Sequence, residues 1–268
     1  TAVRPDLREI TGSSYIDPIT GDLVRGNPGV VPSDVQNFDL RAEWFFENGD
    51  NFTISAYQKN IQNPIEFFEI AASDTTIARE ILNADSSRVY GIELEGLKKL
   101  SFLGEAFEAF FVQGNLTLQD TSLTPDDPNN PNDAGTNDIS CFVTESQDNL
   151  VSIIENNCRL SAASDYVINM MIGFDSLNAK HSASLVYNNY GDRVFAFGRF
   201  GPDAIEQPFE SLDLTYFWYP IDNLTLKLKA KNILESKIEI QRSEPGRTVT
   251  VFEEAPGATY SLSMSYSF

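Results

Sequence analysis

The sequence predicts an all-β protein, a transmembrane antiparallel up-and-down β-barrel, and three observations lead to this fold class. Segments of alternating apolar and polar residues recur along the chain, short and long connections alternate between them, and no apolar run is long enough for a membrane-spanning helix. A barrel strand that faces lipid on one side and water on the other shows this alternation. Such a strand crosses a bilayer with about nine to eleven residues.

The strictest alternation lies in the last nine residues, 260–268. Tyr260, Leu262, Met264, Tyr266 and Phe268 occupy alternate positions, and serine fills every position between them. Because successive side chains of a strand point to opposite faces, this segment is predicted to be a strand with one apolar and one polar side. Its length and aromatic end are typical of the last strand of an outer-membrane barrel.

The same alternation recurs upstream in segments 37–47, 89–95, 109–118, 166–174, 182–187, 211–219 and 223–231. In the last of these, Leu224, Leu226 and Leu228 share a face opposite Lys227 and Lys229. The lysine face requires water, so it cannot be a dry core. In total, about ten strands are expected.

The connections between these strands are sorted by length. The short ones are 47–51, 100–106, 176–180 and 220–223. The long ones are 8–34, 70–86, 120–164 and 195–208, and 243–246 is a hairpin tip. Since outer-membrane barrels have short periplasmic turns and long extracellular loops, we expect residues 121–163 to form a long extracellular loop, irregular because it is rich in Pro, Asn and Asp. Segment 77–82 is the one short stretch with a helical pattern.

The chain is strongly acidic, with 39 acidic and 19 basic residues and a formal net charge of −20. Nucleic acid is not expected as a partner, because its phosphates would be repelled. The acidity fits solvated loops; the alternative is a field that favours cations or metal-bearing ligands. No signal peptide is visible at Thr1, so we expect a mature fragment or the ordered part of a longer protein.

Cys141 and Cys158 lie in one polar loop and are candidates for a disulfide. Closing the segment between them would stabilise the fold by about 3 kcal/mol in the chain-entropy model. A disulfide in an exposed loop indicates an oxidising compartment. A pair of free thiols is the alternative.

Metal and cofactor sites are weakly indicated. The polar loop contains four carboxylates that could hold calcium: Asp126, Asp127, Asp133 and Asp138. Their spacing is not that of an EF-hand, and no Gly stands at the required turn position, which favours a solvated loop. We therefore predict no resident metal and no cofactor.

The residues indicate no enzyme. No Walker loop, zinc spacing or serine-triad motif is present, and the lone His181 is expected at the surface or an interface. Glu93 and Glu95 would lie about 7 Å apart on one strand face, as in a glycosidase pair. A charged barrel wall explains them better.

Four aromatic residues at predicted strand ends are candidates for the membrane interface. They are Trp44, Trp218, Tyr219 and Phe268, each near a short turn or the chain end. Aromatic girdles mark both rims of membrane barrels. We expect these four to form part of a girdle at the periplasmic rim.

Several motifs, in order, resemble the carboxy-terminal part of the barrel of TonB-dependent outer-membrane receptors. Each is weak alone, but their order and spacing together are specific. Ala258 departs from the family pattern, which often has Arg after Pro-Gly, although Pro245-Gly246-Arg247 has the full element. The motifs are Arg4-Pro5-Asp6-Leu7-Arg8-Glu9, Gly26-Asn27-Pro28, residues 37–45, Tyr57-Gln58-Lys59-Asn60-Ile61 with Pro64-Ile65-Glu66, Tyr90-Gly91-Ile92-Glu93-Leu94-Glu95-Gly96, Lys231-Asn232-Ile233-Leu234-Glu235 and Pro256-Gly257-Ala258.

The resemblance implies that residues 1–268 are one barrel portion, about ten strands of a barrel of about 22. The plug domain and TonB box would lie outside this sequence. The implied function is a Gram-negative outer-membrane receptor that imports a scarce large nutrient, such as a ferric siderophore, cobalamin or a glycan, using TonB-coupled energy. The implied partners are outer-membrane lipid, the plug, TonB, the ligand and a possible surface lipoprotein.

In such a receptor, loops 8–34, 70–86, 120–164 and 195–208 are the candidates for ligand contact. Six wall residues would contact the plug or the substrate, or simply pair across strands: Arg41, Glu93, Glu95, Asp213, Lys227 and Lys229. Two other functions stay open. One is an independent small outer-membrane barrel, such as a porin or adhesin, and the other is a soluble acidic β-rich surface-binding module.

Overall fold

The computed structural model describes residues 1–18, 20–73, 76–124, 141–143, 153–155, 158–198, 202–244 and 246–268. They form twenty strands and two single-turn 3-10 helices, Ser101–Leu103 and Glu105–Phe107. No helix in this described part is long and apolar enough to cross a membrane. The strands are β1 (Ala2–Val3), β2 (Ser14–Ile16), β3 (Leu23–Arg25), β4 (Ser33–Phe45), β5 (Asn51–Gln62), β6 (Ile65–Ser73), β7 (Thr76–Asn83), β8 (Ser86–Lys99), β9 (Phe110–Thr124), β10 (Cys141–Val143), β11 (Ile153–Glu155), β12 (Tyr166–Asp175), β13 (His181–Tyr190), β14 (Arg193–Ala196), β15 (Ala204–Glu206), β16 (Phe209–Ile221), β17 (Leu224–Lys231), β18 (Ile238–Glu244), β19 (Arg247–Glu254) and β20 (Thr259–Tyr266).

Ten strands form one sheet, which we call the wall, in the order β1-β4-β5-β8-β9-β12-β13-β16-β17-β20. Neighbours in this order pair antiparallel, so the chain runs up and down across the sheet. The wall is open, with β1 and β20 at its edges. The predicted all-β antiparallel fold is confirmed, including the alternating strand at the chain end.

One face of the wall is apolar and exposed. The strand register places Leu40 opposite Ala56, Ala56 opposite Ile92, and Ile92 opposite Leu118, so that apolar side chains form continuous rows across the strands. Leu40 is 76% exposed. A continuous apolar surface of this kind is stable only when something other than water covers it, and lipid covers it in a membrane barrel.

The opposite face of the wall is polar. In one row, Thr53 lies opposite Glu95, Glu95 opposite Asn115, and Asn115 opposite Asn169. Hydroxyl, carboxylate and amide groups at adjacent positions give this face a surface that water or a polar partner can solvate. The two faces therefore require two different surroundings.

Glycine allows one aromatic ring to lie flat against the polar face. Phe111 is paired with Gly173 across β9 and β12, and a Cβ at Gly173 would lie 2.1 Å from the Phe111 ring. Such a cross-strand ring covers backbone that the glycine leaves bare. Any side chain at Gly173 would displace this ring.

The short turns are where the sequence predicts them. Residues 46–50, 100–109, 176–180 and 222–223 connect β4 to β5, β8 to β9, β12 to β13, and β16 to β17. In an up-and-down sheet these four connections lie at one end, and the remaining connections lie at the other. The predicted sorting of connections by length is thus confirmed.

The long connections are more regular than we predicted. Strands β2, β3, β6 and β7 form one small sheet, β14, β15, β18 and β19 form a second, and β10 and β11 form a third. Segment 77–82 is part of strand β7 and not a helix, because β6 and β3 pair with its two edges, whereas an isolated helix of this length does not persist. We call the first two sheets, together with residues 158–164, the long-loop end.

The long-loop end has its own packed interior. On one side of the β6–β7 hairpin, Phe68 packs in a buried cluster with Leu123, Val194 and Phe197, and its ring stacks on Phe197 with centroids 5.1 Å apart. On the other side, Ile81 packs in a second buried cluster, with Val24 and Val30. The hairpin is therefore the middle layer between two cores.

Candidate ligand-binding end and polar wall

Arg79 connects three segments of the long-loop end. Its guanidinium donates to Asp17 Oδ2 at 2.7 Å and to Thr20 Oγ1 at 3.0 Å, and it lies 4.7 Å from the centroid of the Phe195 ring. Only 5% of the Arg79 side chain is exposed. A buried guanidinium with these partners ties β7 to the loop before β3 and to β14.

A second buried ion pair joins the two small sheets. Arg242 on β18 donates to Glu69 on β6, and Asp203 lies close enough for its charge to interact with both. Burial raises the pKa of Asp203 to about 6, although the Gly198 N–H donates to its carboxylate at 2.8 Å. Burial also raises the pKa of Glu69, and Arg242 opposes this shift.

Two further arginines are held by acidic neighbours. Arg193 donates to Glu206 at 2.8 Å, and Arg159 donates to Asp192 at 2.7 Å and lies 3.2 Å from Asp165. Together with Arg79 and Arg242, these arginines serve contacts within the chain. The long-loop end is therefore a preassembled structure rather than a set of separate loops.

Glu66 is a buried carboxyl group that sequence reasoning missed. It is 2% exposed, and its Oε2 has no hydrogen-bond partner among the described residues. Burial raises its pKa to about 7, and hydrogen bonds with Ser161 oppose that shift. A glutamate in a partly polar segment gives no sequence signal of burial, since most glutamates lie at the surface.

Among the six charged wall residues that the sequence singles out, Arg41 and Glu95 form an ion pair across strands. Arg41 Nη2 donates to Glu95 Oε2 at 3.1 Å. A pocket of about 350 Å³ is lined in part by Arg41, Tyr57, Lys59 and Glu93. Glu93 and Glu95 thus face a surface that carries charges of both signs.

The sign of the charge changes along the polar wall. Strand β17 carries Lys227, Lys229 and Lys231 on this face, and the Lys227 ammonium lies 5.1 Å from the centroid of the Phe217 ring. On the neighbouring strand, Asp213 accepts a hydrogen bond from the Asn232 N–H at 2.9 Å. The acidic part of the wall is on β8, and the basic part is on β17.

The predicted interface aromatics lie near the short-turn end of the wall. Trp44 stacks on Phe52 with centroids 5.7 Å apart, and Trp218 stacks on His181 at 6.5 Å. Phe268 follows the last strand and meets Tyr266 edge to face. Their role at a membrane interface stays a prediction.

Tyr219 and the lone His181 lie on opposite faces of the wall. Tyr219 stacks on Phe217 with centroids 6.2 Å apart, so strand alternation places it on the polar face, opposite to Trp218. His181 lies on the apolar face, opposite Trp218 in the register, with Nδ1 2.7 Å from the Tyr216 hydroxyl oxygen. His181 is half-buried there, and its place at a surface or an interface stays a prediction.

The remaining predicted sites are only partly covered by the structure. The calcium candidates Asp126, Asp127, Asp133 and Asp138 lie outside the described residues. Cys158 is disulfide-bonded and packs in the core beside Leu123; its pairing with Cys141 stays a proposal. Within the described ranges, no cluster of three or more acidic, His or Cys side chains is arranged to hold a metal ion.

Comparison with solved structures shows the fold. The ferric enterobactin receptor PfeA of Pseudomonas aeruginosa, a mutant in complex with enterobactin, matches with a TM-score of 0.55 and 16% identity, over 92% of this chain and 33% of that chain. The siderophore receptor PiuA of Acinetobacter baumannii matches with a TM-score of 0.55 and 16% identity, over 88% of this chain and 28% of that chain. The iron transporter FrpB of Neisseria meningitidis matches with a TM-score of 0.54 and 12% identity, over 91% of this chain and 32% of that chain.

The sequence comparison shows the family. This chain spans about a third of the length of the solved receptors that it matches, and no curated protein matches its sequence. A family model described as TonB dependent receptor-like, beta-barrel, matches residues 1–233. The chain therefore belongs to the TonB-dependent receptor β-barrel family.

Proposed function

We propose that this chain is part of the wall of an outer-membrane receptor of a Gram-negative bacterium. The receptor binds a scarce large nutrient outside the cell and imports it with TonB-coupled energy. The observation that carries this proposal is the two-faced wall, apolar on one side and polar on the other, in a chain that the family model matches. Lipid covers the apolar face.

The long-loop end is proposed to contact the ligand, through loops 8–34, 70–86, 120–164 and 195–208. Its buried ion pairs support a preformed surface, because Arg79 and Arg242 are already bound within the chain. Among ferric siderophores, cobalamin and glycans, a ferric siderophore is the first candidate, since PiuA is a siderophore receptor and PfeA binds enterobactin. Cobalamin and glycans remain alternatives for the test.

The polar wall is proposed to face the receptor's own plug domain, and TonB to act through that plug. The charged side chains Arg41, Glu93 and Glu95 on one part of the wall, and the lysines of β17 on another, offer hydrogen bonds and charge to such a domain. A surface lipoprotein is a further possible partner. The proposed pairing of Cys141 with Cys158 fits the oxidising surroundings of a cell surface.

Uptake by the full-length receptor tests the proposal. Cells that lack the receptor would be compared with complemented cells for uptake of ⁵⁵Fe-labelled ferric siderophores, labelled cobalamin and labelled oligosaccharides, with and without functional TonB. We expect one ligand to accumulate, chemically unchanged, only when the receptor and TonB are both present. The control is a receptor without its plug.

Each alternative function predicts a different outcome. A porin-like barrel would give uptake that is independent of TonB and of energy. An adhesin would bind surfaces without any uptake. A soluble surface-binding module would be recovered in the aqueous phase after detergent phase separation. Any of these results would contradict a TonB-coupled receptor.

A further inference from the structure

Three lysines form a row on the polar face of the wall, which we call the lysine strip. Lys227, Lys229 and Lys231 occupy alternate positions of β17, so their side chains share one face. Successive lysines lie about 7 Å apart along the strand, which makes the strip about 13 Å long. The chain as a whole is acidic, with a formal net charge of −20. The strip is therefore a local excess of positive charge in an acidic protein.

The lysine strip is not neutralised by the rest of the described chain. None of the ion pairs among the described residues includes one of its three lysines. The Lys227 ammonium lies 5.1 Å from the centroid of the Phe217 ring, and a ring contact leaves the charge in place. By contrast, Arg79 and Arg242 of the long-loop end are bound to carboxylates. The ammonium groups of the strip are thus left for an anion outside the described residues.

The strands on both sides of the lysine strip present hydroxyl groups. On β20, Ser263 lies opposite Lys227, and Ser261 lies opposite Lys229. On β16, Thr215 lies opposite Lys229. Hydroxyl groups donate hydrogen bonds to carboxylate oxygens, as ammonium groups do. The flanking strands therefore offer further donors to the same kind of partner.

Asp213 is the one acidic residue on the polar face of these two flanking strands, β16 and β20, which the structure describes in full. Its carboxylate accepts a hydrogen bond from the Asn232 N–H at 2.9 Å. One carboxylate against the three ammonium groups of the strip leaves two positive charges in excess. Charge complementarity therefore selects an acidic partner for this part of the polar wall.

The spacing of the lysines favours an extended polypeptide over a compact anion. Alternate side chains of an extended segment are also about 7 Å apart, so acidic residues at alternate positions would place one carboxylate against each lysine. A single phosphate or carboxylate group is too small to reach all three. A nutrient in passage would leave the three charges uncompensated between transport events, whereas a segment of the folded receptor compensates them permanently.

We propose that the lysine strip binds an extended acidic segment of the receptor's own plug domain. The proposal rests on the proposed function, in which the polar wall faces the plug. It adds the strand that makes the contact, β17, and the chemistry of the plug segment, which is a series of Asp or Glu residues at alternate positions.

Zero-length crosslinking of the full-length receptor, without added nutrient, tests this proposal. A water-soluble carbodiimide joins an ammonium group to a carboxylate in contact with it through an amide bond, and mass spectrometry of the digested receptor identifies the two residues. We expect Lys227, Lys229 and Lys231 to be joined to Asp or Glu residues of one plug segment. The same three lysines should react with N-hydroxysuccinimide acetate about tenfold more slowly than Lys180, which is exposed in a short turn.

Variants of the middle lysine test the role of the charge. Lys229→Gln should speed hydrogen exchange in the crosslinked plug segment by about tenfold, and Lys229→Arg, which keeps the charge, should leave it slow. The matched control is Lys59→Gln, at a lysine of the same face on the distant strand β5, and it should leave exchange in that segment as it is. Thermal unfolding in detergent identifies a variant that has failed to fold, and the crosslinks of the unaltered receptor then decide.

Three results would contradict the proposed contact. The three lysines could be acetylated as fast as Lys180, which would mean that water and salt alone face the strip. They could be joined to carboxylates of the barrel, or become protected only after a ferric siderophore is added. Any of these results together with normal TonB-dependent uptake refutes the plug contact and not the transport function. Crosslinks to the plug without TonB-dependent uptake refute the transport function alone.

Discussion

The wall and the long-loop end of this chain bury opposite kinds of residue. On the wall, large apolar side chains such as Leu40 and Leu262 are exposed and polar groups line the other face. In the long-loop end, Phe197 and Ile81 are buried, as in a water-soluble domain. Alternating strands thus place apolar residues in a packed interior at the long-loop end and on an exposed face along the wall, which we propose is covered by lipid.

The two regions also differ in how they hold charge. Arg41 and Glu95 on the wall are both half exposed, whereas the side chains of Arg79 and Glu69 in the long-loop end are largely buried. Exposed ion pairs contribute little to stability, while breaking a buried pair leaves a charge without its partner. Substitutions should therefore have large effects in one region and small effects in the other.

The largest effect is expected at Arg79. Replacing it in Arg79→Met removes a buried cation from Asp17 and from the Phe195 ring, and should lower the local stability of the long-loop end by about 3–5 kcal/mol. Hydrogen exchange of the full-length receptor measures this as faster exchange in β2, β3 and β7. Arg25→Met, at an exposed arginine on β3, is the matched control. Unchanged exchange in Arg79→Met would mean that the long-loop end is held by its apolar cores alone.

The second effect tests the lipid-facing side of the wall. Ile92 lies on the apolar face near the middle of β8, and Ile92→Arg should destabilise the membrane-inserted receptor by about 2–4 kcal/mol. Urea unfolding from lipid vesicles gives the free energy. Thr117→Arg, on the polar face opposite Glu93, is the control and should cost far less. Equal losses in the two variants would contradict the assignment of the two faces.

The third effect is a pH dependence at Glu66. Its pKa is raised from 4.5 to about 7, so the folded long-loop end keeps a proton that an unfolded segment loses above pH 4.5. Between pH 4.5 and about pH 7, folding binds this proton at Glu66. The stability of the long-loop end therefore falls as the pH rises through this range. Above about pH 7 the contribution of Glu66 no longer changes with pH. By then the free energy of unfolding has fallen by up to about 3 kcal/mol in total.

Hydrogen exchange at pH 5, 6, 7 and 8, corrected for intrinsic rates, measures this dependence in the full-length receptor. Glu66→Gln should flatten it, and the slope that remains should have the same sign, because burial also raises the pKa of Asp203. Glu80→Gln on the neighbouring strand is the control and should leave the pH dependence as it is. A long-loop end that becomes more stable as the pH rises would contradict a buried, protonated Glu66.

The same contrast explains what could be predicted from the sequence. Each wall strand has one polar and one apolar face, so hydropathy alternates and the sequence predicts the strands, as in Tyr260 to Phe268. Strand β6 has two buried faces, Glu66 and Phe68 on one and Phe67 and Glu69 on the other. Its buried carboxylates have distant partners, Arg242 for Glu69 and Ser161 for Glu66, and Glu66 Oε2 has none among the described residues. No local pattern encodes such pairs, so the segment resembled a loop.

The smallest effect is expected at the exposed wall pair. Arg41 and Glu95 have side chains 45% and 40% exposed, so their coupling free energy should be small and should decrease with added salt. A double-mutant cycle with Arg41→Gln and Glu95→Gln, followed by urea unfolding at low and high salt, measures it. Lys237→Gln with Glu253→Gln, at an exposed pair outside the wall 3.0 Å apart, gives the reference value. A coupling near that of a buried pair, insensitive to salt, would mean that the polar face is dry in the assembled receptor and that another part of the protein lies directly on it.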